Sequence, residues 1–288
     1  MSKSVIRSLV VLGLAMSGVL QAHAATSWSF TTGGTESSGG NFGNTRSYTS
    51  GTGSKVAVSA WSDTKNASTG GAKNAYIESA YLGSWAGGLG VTNRDGANGA
   101  GDKNEGTIAA TQVPGHTMDN DSRYDSMLFD FGGKAAKLNS VTVGWWTGDS
   151  DITVLAYTGK GTPTFMSADQ GYAALLSSGW SVVKSSAGKT GTAHYSNAAG
   201  GAPTESTNAA KYVPLAVNDL NISARYWLVG ALNTLVQSLP TGTSVNKGDD
   251  YVKIAGVSAT FDTPEPSSMV LASGALAGVV LMRRRRKG

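Results

Sequence analysis

Short runs in which apolar and polar residues alternate recur along the middle of the chain, separated by glycine-, serine- and asparagine-rich spacers. Alternation sends every second side chain to the same face, so each run predicts a strand with one buried side. Lys55–Trp61 places Val56, Val58 and Ala60 together, and Ala75–Leu82 sets Ile77 and Tyr81 against Tyr76, Ala80 and Leu82. Ser126–Phe131 gathers Met127, Phe129 and Phe131; Leu138–Trp146 carries Val141, Val143 and Trp145. Asp151–Tyr157 opposes Ile152 and Val154 to Leu155 and Tyr157. Trp180–Lys184, Tyr212–Val217, Arg225–Leu232 and Asp250–Phe261 complete the set, and Ala168–Ser177 predicts one modest helix. The spacers Thr31–Gly43, Arg94–Gly106 and Gly188–Thr207 are rich in residues that make tight turns. About nine short strands with such connections predict an all-β fold, a β-sandwich of jelly-roll type. One domain over residues 25–263 is expected. A break near Gly188–Thr207 would make two, but no linker-like composition marks it.

Both ends depart from this pattern. Lys3 and Arg7, the apolar run Leu9–Leu20, and the small residues Ala22 and Ala24 have the layout of a secretory signal peptide over residues 1–24. The mature chain is then expected to start at Ala25, after export by the Sec machinery and a signal peptidase cut. Residues 264–288 contain Pro264-Glu265-Pro266, then Ser267–Met282, then Arg283, Arg284, Arg285, Arg286 and Lys287. The sixteen residues of Ser267–Met282 make a helix of about 24 Å, short against a hydrocarbon core of about 30 Å. A single brief transmembrane helix is expected, with its cations on the cytoplasmic side. The two prolines hold the preceding stretch extended and poor in hydrogen bonds, a shape suited to a protease groove.

Pro264-Glu265-Pro266, the short apolar helix and the arginine cluster, in that order, resemble the PEP-CTERM sorting signal. The resemblance implies recognition by exosortase, a membrane transpeptidase-like cysteine protease of Gram-negative bacteria. It also implies a cut near Pro264–Pro266 and transient anchoring before delivery to the cell surface or extracellular matrix. Segments of the body are similar to some exosortase-dependent surface proteins. These are Gly88-Leu89-Gly90-Val91 with Asn93, His116 with Asp119-Asn120, Gly144-Trp145, Asp149-Ser150-Asp151-Ile152, Arg225–Ala231 and Asp250–Lys253. That likeness implies a family and no activity.

Charge changes the picture once the ends are set aside. Of 23 Lys and Arg, two lie in residues 1–24 and five in 264–288; of 19 acids only Glu265 does, so the body carries a net −2. The pI of 9.2 belongs to the addresses. A slightly acidic body has no attraction for a phosphate backbone, so no nucleic-acid partner is expected. The absence of cysteine excludes disulfides, thiolate metal sites and cysteine catalysis.

Candidate chemistry is sparse. Asp95, Asp119, Asn120 and Asp121 sit on polar loops and are the oxygen ligands Ca²⁺ favours, with Asp102 and Glu105 between them. Ordinary turn capping uses the same residues. Asp149 and Asp151 form a second acidic loop, open to an ion or a sugar hydroxyl, or to simple hairpin termination. No G-x-S-x-G elbow and no H-E-x-x-H occurs, and His116 and His194 are the histidines of the body. An enzyme is not expected. Of the seven tryptophans, the adjacent Trp145 and Trp146 face opposite sides of a strand; core packing and sugar-stacking platforms are both open to such residues. The expected role is structural or adhesive, within or near exopolysaccharide. A carbohydrate-binding module, with or without calcium, is the first alternative, and a secreted hydrolase the second.

Overall fold

The strands nest as a ribbon folded back on itself. The computed structural model describes residues 24–37, 41–65, 76–94, 116–121, 123–148, 150–166, 168–185, 212–236 and 250–262. The signal peptide, the sorting tail, the Gly188–Thr207 loop, Asp102, Glu105 and His194 lie outside them, apart from Ala24. Ala24–Asp262 forms one compact unit. Its strands are β1 (Thr26–Ser29), β2 (Thr35–Glu36), β3 (Thr45–Thr49), β4 (Lys55–Lys65), β5 (Tyr76–Ser79), β6 (Tyr81–Trp85), β7 (Gly88–Thr92), β8 (Met118–Asp119), β9 (Asp125–Asp130), β10 (Ala136–Gly148), β11 (Ile152–Tyr157), β12 (Trp180–Ser185), β13 (Val213–Ala216), β14 (Tyr226–Ala231) and β15 (Asp250–Phe261).

One sheet has the order β13-β10-β15-β7-β6, with β1 and β8 also paired to β15; the other runs β12-β11-β14-β9-β4-β3-β2, with β5 on β4. Every pairing is antiparallel. Within the two sheets, β7 pairs with β15, β9 with β14, β10 with β13 and β11 with β12. First strand pairs with last and the pairs close inward, which is the jelly roll expected from the alternation. Strands β1 to β6 extend the two sheets beyond this ribbon.

The core lies between the sheets. Val56, Val58, Ala60, Met127, Phe129, Ile152, Val154, Trp227 and Val229 of one sheet meet Leu82, Leu89, Val91, Leu138, Val141, Val143, Val252, Ile254 and Val257 of the other. Trp227 is fully buried, and its indole N–H donates to the carbonyls of Ala136 and Ala224 at 3.0 Å each. A second cluster covers the outer face of the β9–β14–β11 sheet. There Trp61, Leu128, Leu155, Tyr157, Trp180, Tyr226 and Leu228 pack under Phe165, Tyr172 and Leu175. This third layer is carried by short 3-10 segments at Thr164–Met166 and Tyr172–Ser178. The helix expected over Ala168–Ser177 is therefore a later 3-10 helix, preceded by Gly171 and closed by left-handed Gly179.

Two runs differ from their alternation. The stretch Ala75–Leu82 divides at Ala80, with β5 in one sheet and β6 in the other. Ala80 donates to the Ala60 carbonyl and accepts from Gly43, which fixes the crossing point. In β10, register shifts against β15 between Thr142 and Val143 and between Val143 and Trp145 reverse the faces. Val143 stays in the core, Trp146 packs against it, and Trp145 turns outward opposite Lys253.

Candidate functional site

Of the polar residues nominated by the sequence, Asp119, Asn120, Asp121 and Asp151 gather at the end of β8 and the starts of β9, β11 and β15. Asp119 ends β8 opposite Tyr251 and is buried. Its carboxylate accepts from the Thr117 hydroxyl at 3.3 Å and the Asp121 amide at 3.1 Å. Asn120 spends its amide on three bonds: Nδ2 donates to Leu232 O at 3.0 Å and Asp250 Oδ2 at 2.7 Å, and Oδ1 accepts from Asp250 N at 2.8 Å. Asp121 accepts from the Tyr251 hydroxyl at 3.0 Å. Asp151 is buried, and its amide donates to Asp250 Oδ1 at 2.8 Å. Asn120, Asp121 and Asp151 thus converge on Asp250-Tyr251, the first two residues of β15. Asp250 is the hub that sequence reasoning missed; its signal was an acid at the head of a long apolar strand.

Asp95 and Asp149 lie outside the described residues. Among the described residues no three His, Asp or Glu stand close enough to hold a metal ion. The bonds around Asp119, Asn120 and Asp121 are those of a clasp joining β8, the end of β14 and the start of β15. Nearby, Asn93 donates to Asp125 at 3.2 Å and Asp63 accepts from the Tyr124 amide at 2.9 Å. Burial, with Asp63 and then Asp125 adding negative charge, pushes the Tyr172 phenol well above its ordinary value. Its hydroxyl meets Ser126 Oγ at 2.6 Å.

A second constellation lies on the outer face of the other sheet, opposite the core residues Leu82, Leu89 and Val91. Trp85, at the end of β6, is partly exposed, as are Tyr81 and His116. The Trp85 ring stands at 89° to Tyr81 with centroids 6.2 Å apart, and at 70° to His116 at 4.9 Å. Gly83 and Gly90 are paired across β6 and β7. A Cβ on Gly83 would fall 2.0–2.5 Å from three indole carbons of Trp85, and one on Gly90 would fall 1.9 Å from His116 O. Both positions therefore require glycine: the indole lies on the backbone of one and the chain at His116 crosses the other. Beneath them is Lys253, fully buried on β15. Its Nζ donates to Ala86 O at 3.2 Å, lies 3.3 Å from His116 Nε2 and sits 4.8 Å above the Trp145 ring. An ammonium has no lone pair, so His116 Nε2 is the acceptor and a neutral ring carries its proton on Nδ1. Lysine in an apolar strand was not singled out from sequence, because alternation alone assigns it to a solvated face.

Ala24 is exposed just before β1, whose Thr26–Ser29 pairs with Gly256–Ala259 of β15. The first and last strands of the body therefore lie side by side. At the far end, Asp262 accepts from Ser223 Oγ at 2.6 Å and pairs with Lys137 at 3.6 Å. Among the described residues no helix is long and apolar enough to cross a membrane.

Comparison with known proteins identifies the tail. Residues 262–286 match the family model of the PEP-CTERM protein-sorting motif. No curated protein and no solved structure matches the chain. The match covers the tail that the sequence singled out, including Pro264, Glu265, Pro266 and the four arginines. The chain carries the PEP-CTERM sorting motif, the mark of exported surface proteins that exosortase sorts.

Proposed function

We propose that the jelly-roll body is a non-catalytic structural or adhesive component of the cell surface or extracellular matrix of a Gram-negative bacterium, in contact with exopolysaccharide. On this reading the Sec machinery exports the chain, signal peptidase cuts after Ala24, and the tail pauses in the inner membrane. Exosortase then cuts near Pro264–Pro266 and hands on the body. The observation that carries the reading is the sorting motif joined directly to the last strand: β15 ends at Phe261 and the motif match opens at residue 262. A cut anywhere from Pro264 onward leaves every core residue of β15 in place.

The test is the mass of the mature protein together with its cell fraction. Ends at Ala25 and near Pro264–Pro266 in surface or matrix material support the route. A matrix protein still bearing Arg283–Lys287 refutes processing. Deleting residues 264–288 should leave the protein exported but unsorted, in periplasm or medium, and should strip it from the biofilm matrix. Unchanged matrix retention in that deletion refutes the sorting role.

A further inference from the structure

We propose that Trp85, Tyr81 and His116 form a binding slot for one pyranose ring of an uncharged polysaccharide. The proposal rests on the surface role above and names the contact by which the body would hold its matrix. A tryptophan that only fills core is enclosed, as Trp227 is; Trp85 is partly exposed, with its indole laid flat on the backbone of Gly83. One face of the indole is thus backed by the sheet, with two aromatic rings steeply inclined to it. Among the described residues neither the Trp85 indole N–H nor the Tyr81 hydroxyl makes a hydrogen bond, so both are open to a ligand. A sugar ring matches this arrangement, because its C–H face stacks on an indole while the hydroxyls at its edge meet polar atoms.

Lys253 gives an anion no direct contact at this slot. Its ammonium is buried behind the rings, where it holds Ala86 and His116 and faces Trp145, so it offers no exposed cation to a uronate. It acts as a positioning residue, tying the turn after Trp85 to the chain at His116. The ligand that fits is a neutral pyranose with an unobstructed C–H face.

The test is affinity electrophoresis of the purified full chain in gels containing hydroxyethyl cellulose, with alginate as the anionic comparison. The neutral glucan should retard the wild type. Trp85→Ala should weaken retardation about tenfold, the loss of one aromatic stacking contact. Gly83→Ala, which drives the ring from its seat, should do the same, while Trp85→Tyr keeps a flat face and restores part of the binding. Leu220→Ala, at an exposed position away from β6, should bind as the wild type. Melting curves of the variants separate lost binding from lost folding. Equal retardation of Trp85→Ala and wild type, or retardation by alginate alone, overturns the slot. Matrix retention, assayed in parallel on cells, separates the two readings. Trp85→Ala cells that hold the protein in the matrix while the purified variant binds glucan normally overturn the slot and leave the surface role standing. A wild type that binds glucan but never reaches the matrix supports the slot and refutes the surface role.

Discussion

Replacing Asn120 with alanine should unfasten the start of β15. The side chain makes three hydrogen bonds, to Leu232 O, Asp250 Oδ2 and Asp250 N, at 2.7–3.0 Å. A neutral bond contributes about 0.5–1.5 kcal/mol net and one to a carboxylate about 1.5–3 kcal/mol. Asn120 is only half-buried, so water replaces part of what is lost, and a destabilisation of about 2–3 kcal/mol is expected. In a body of this size each kcal/mol moves Tm by about 2–4 °C, giving a fall of about 5–10 °C. Thermal and urea unfolding of the purified chain measure it. Asn120→Asp is a sharper probe: it sets a carboxylate beside Asp250, whose repulsion weakens as pH falls and one of the two takes up a proton. That variant should be further below wild type at pH 7 than at pH 4.5. Should Asn120→Ala melt within a degree of wild type in EDTA, the clasp is wrong. If its deficit appears only when Ca²⁺ is present, Asn120 is a calcium ligand.

Other expectations follow from the same geometry. Chelator should leave the wild-type Tm unchanged, because Asp119, Asn120 and Asp121 are engaged with protein donors and acceptors; a chelator-induced fall in Tm would support the calcium reading. Tyr172 has a folded pKa raised above its unfolded value, so its contribution is fully present below about pH 10 and is lost as pH rises beyond it. Tyr172→Phe should accordingly be less stable at pH 7 by about 1 kcal/mol, from the lost Tyr172–Ser126 hydrogen bond, yet should lose less stability than wild type above about pH 10 in alkaline melts. A chain ended at Asp262 should keep the Tm of the full-length chain. One ended at Ala255 loses Val257, Ala259 and the partner of β1, and should be recovered only as aggregate or degraded chain.

Strand positions were legible where alternation was long and both faces had a defined fate. Val56–Ala60, Met127–Phe131 and Ile152–Val154 are core because period two is the geometry of a pleated strand. The signal failed at β1, β2, β3, β7 and β8, which are short or rich in glycine, serine and threonine and draw their hydrogen bonds from distant partners. Trp145 was assigned the face of Val143 because period two has no memory of a bulge; the shifts beside Gly144 are visible only in the pairing with β15. Of the polar site, Asp119–Asp121 and Asp151 were legible as loop acids. Their meeting point, Asp250, was not, because it lies 130 residues from Asn120 in the chain. Gly83 and Gly90 carried no signal of their own; only their register opposite one another shows that they make room for Trp85 and His116.

The place of β15 ties the fold to the route. It is the last strand of the body, yet it sits inside its sheet, paired along its length with β10 and on its other side with β1, β7 and β8. That sheet cannot close until the chain has emerged through Phe261, one residue before the sorting motif match begins. On the proposed route, completion of the body and exposure of Pro264-Glu265-Pro266 on the far side of the membrane are therefore closely coupled events. A variant that weakens the docking of β15 without changing the tail, such as Asn120→Ala, should leave the chain upstream of the prolines unpaired more of the time while the tail is anchored. Pulse-chase in exosortase-bearing cells should then show internal cuts within residues 250–262 in the variant and a single end near Pro264–Pro266 in wild type. The same single end in both, at the same rate, would show that processing takes no account of whether β15 is docked.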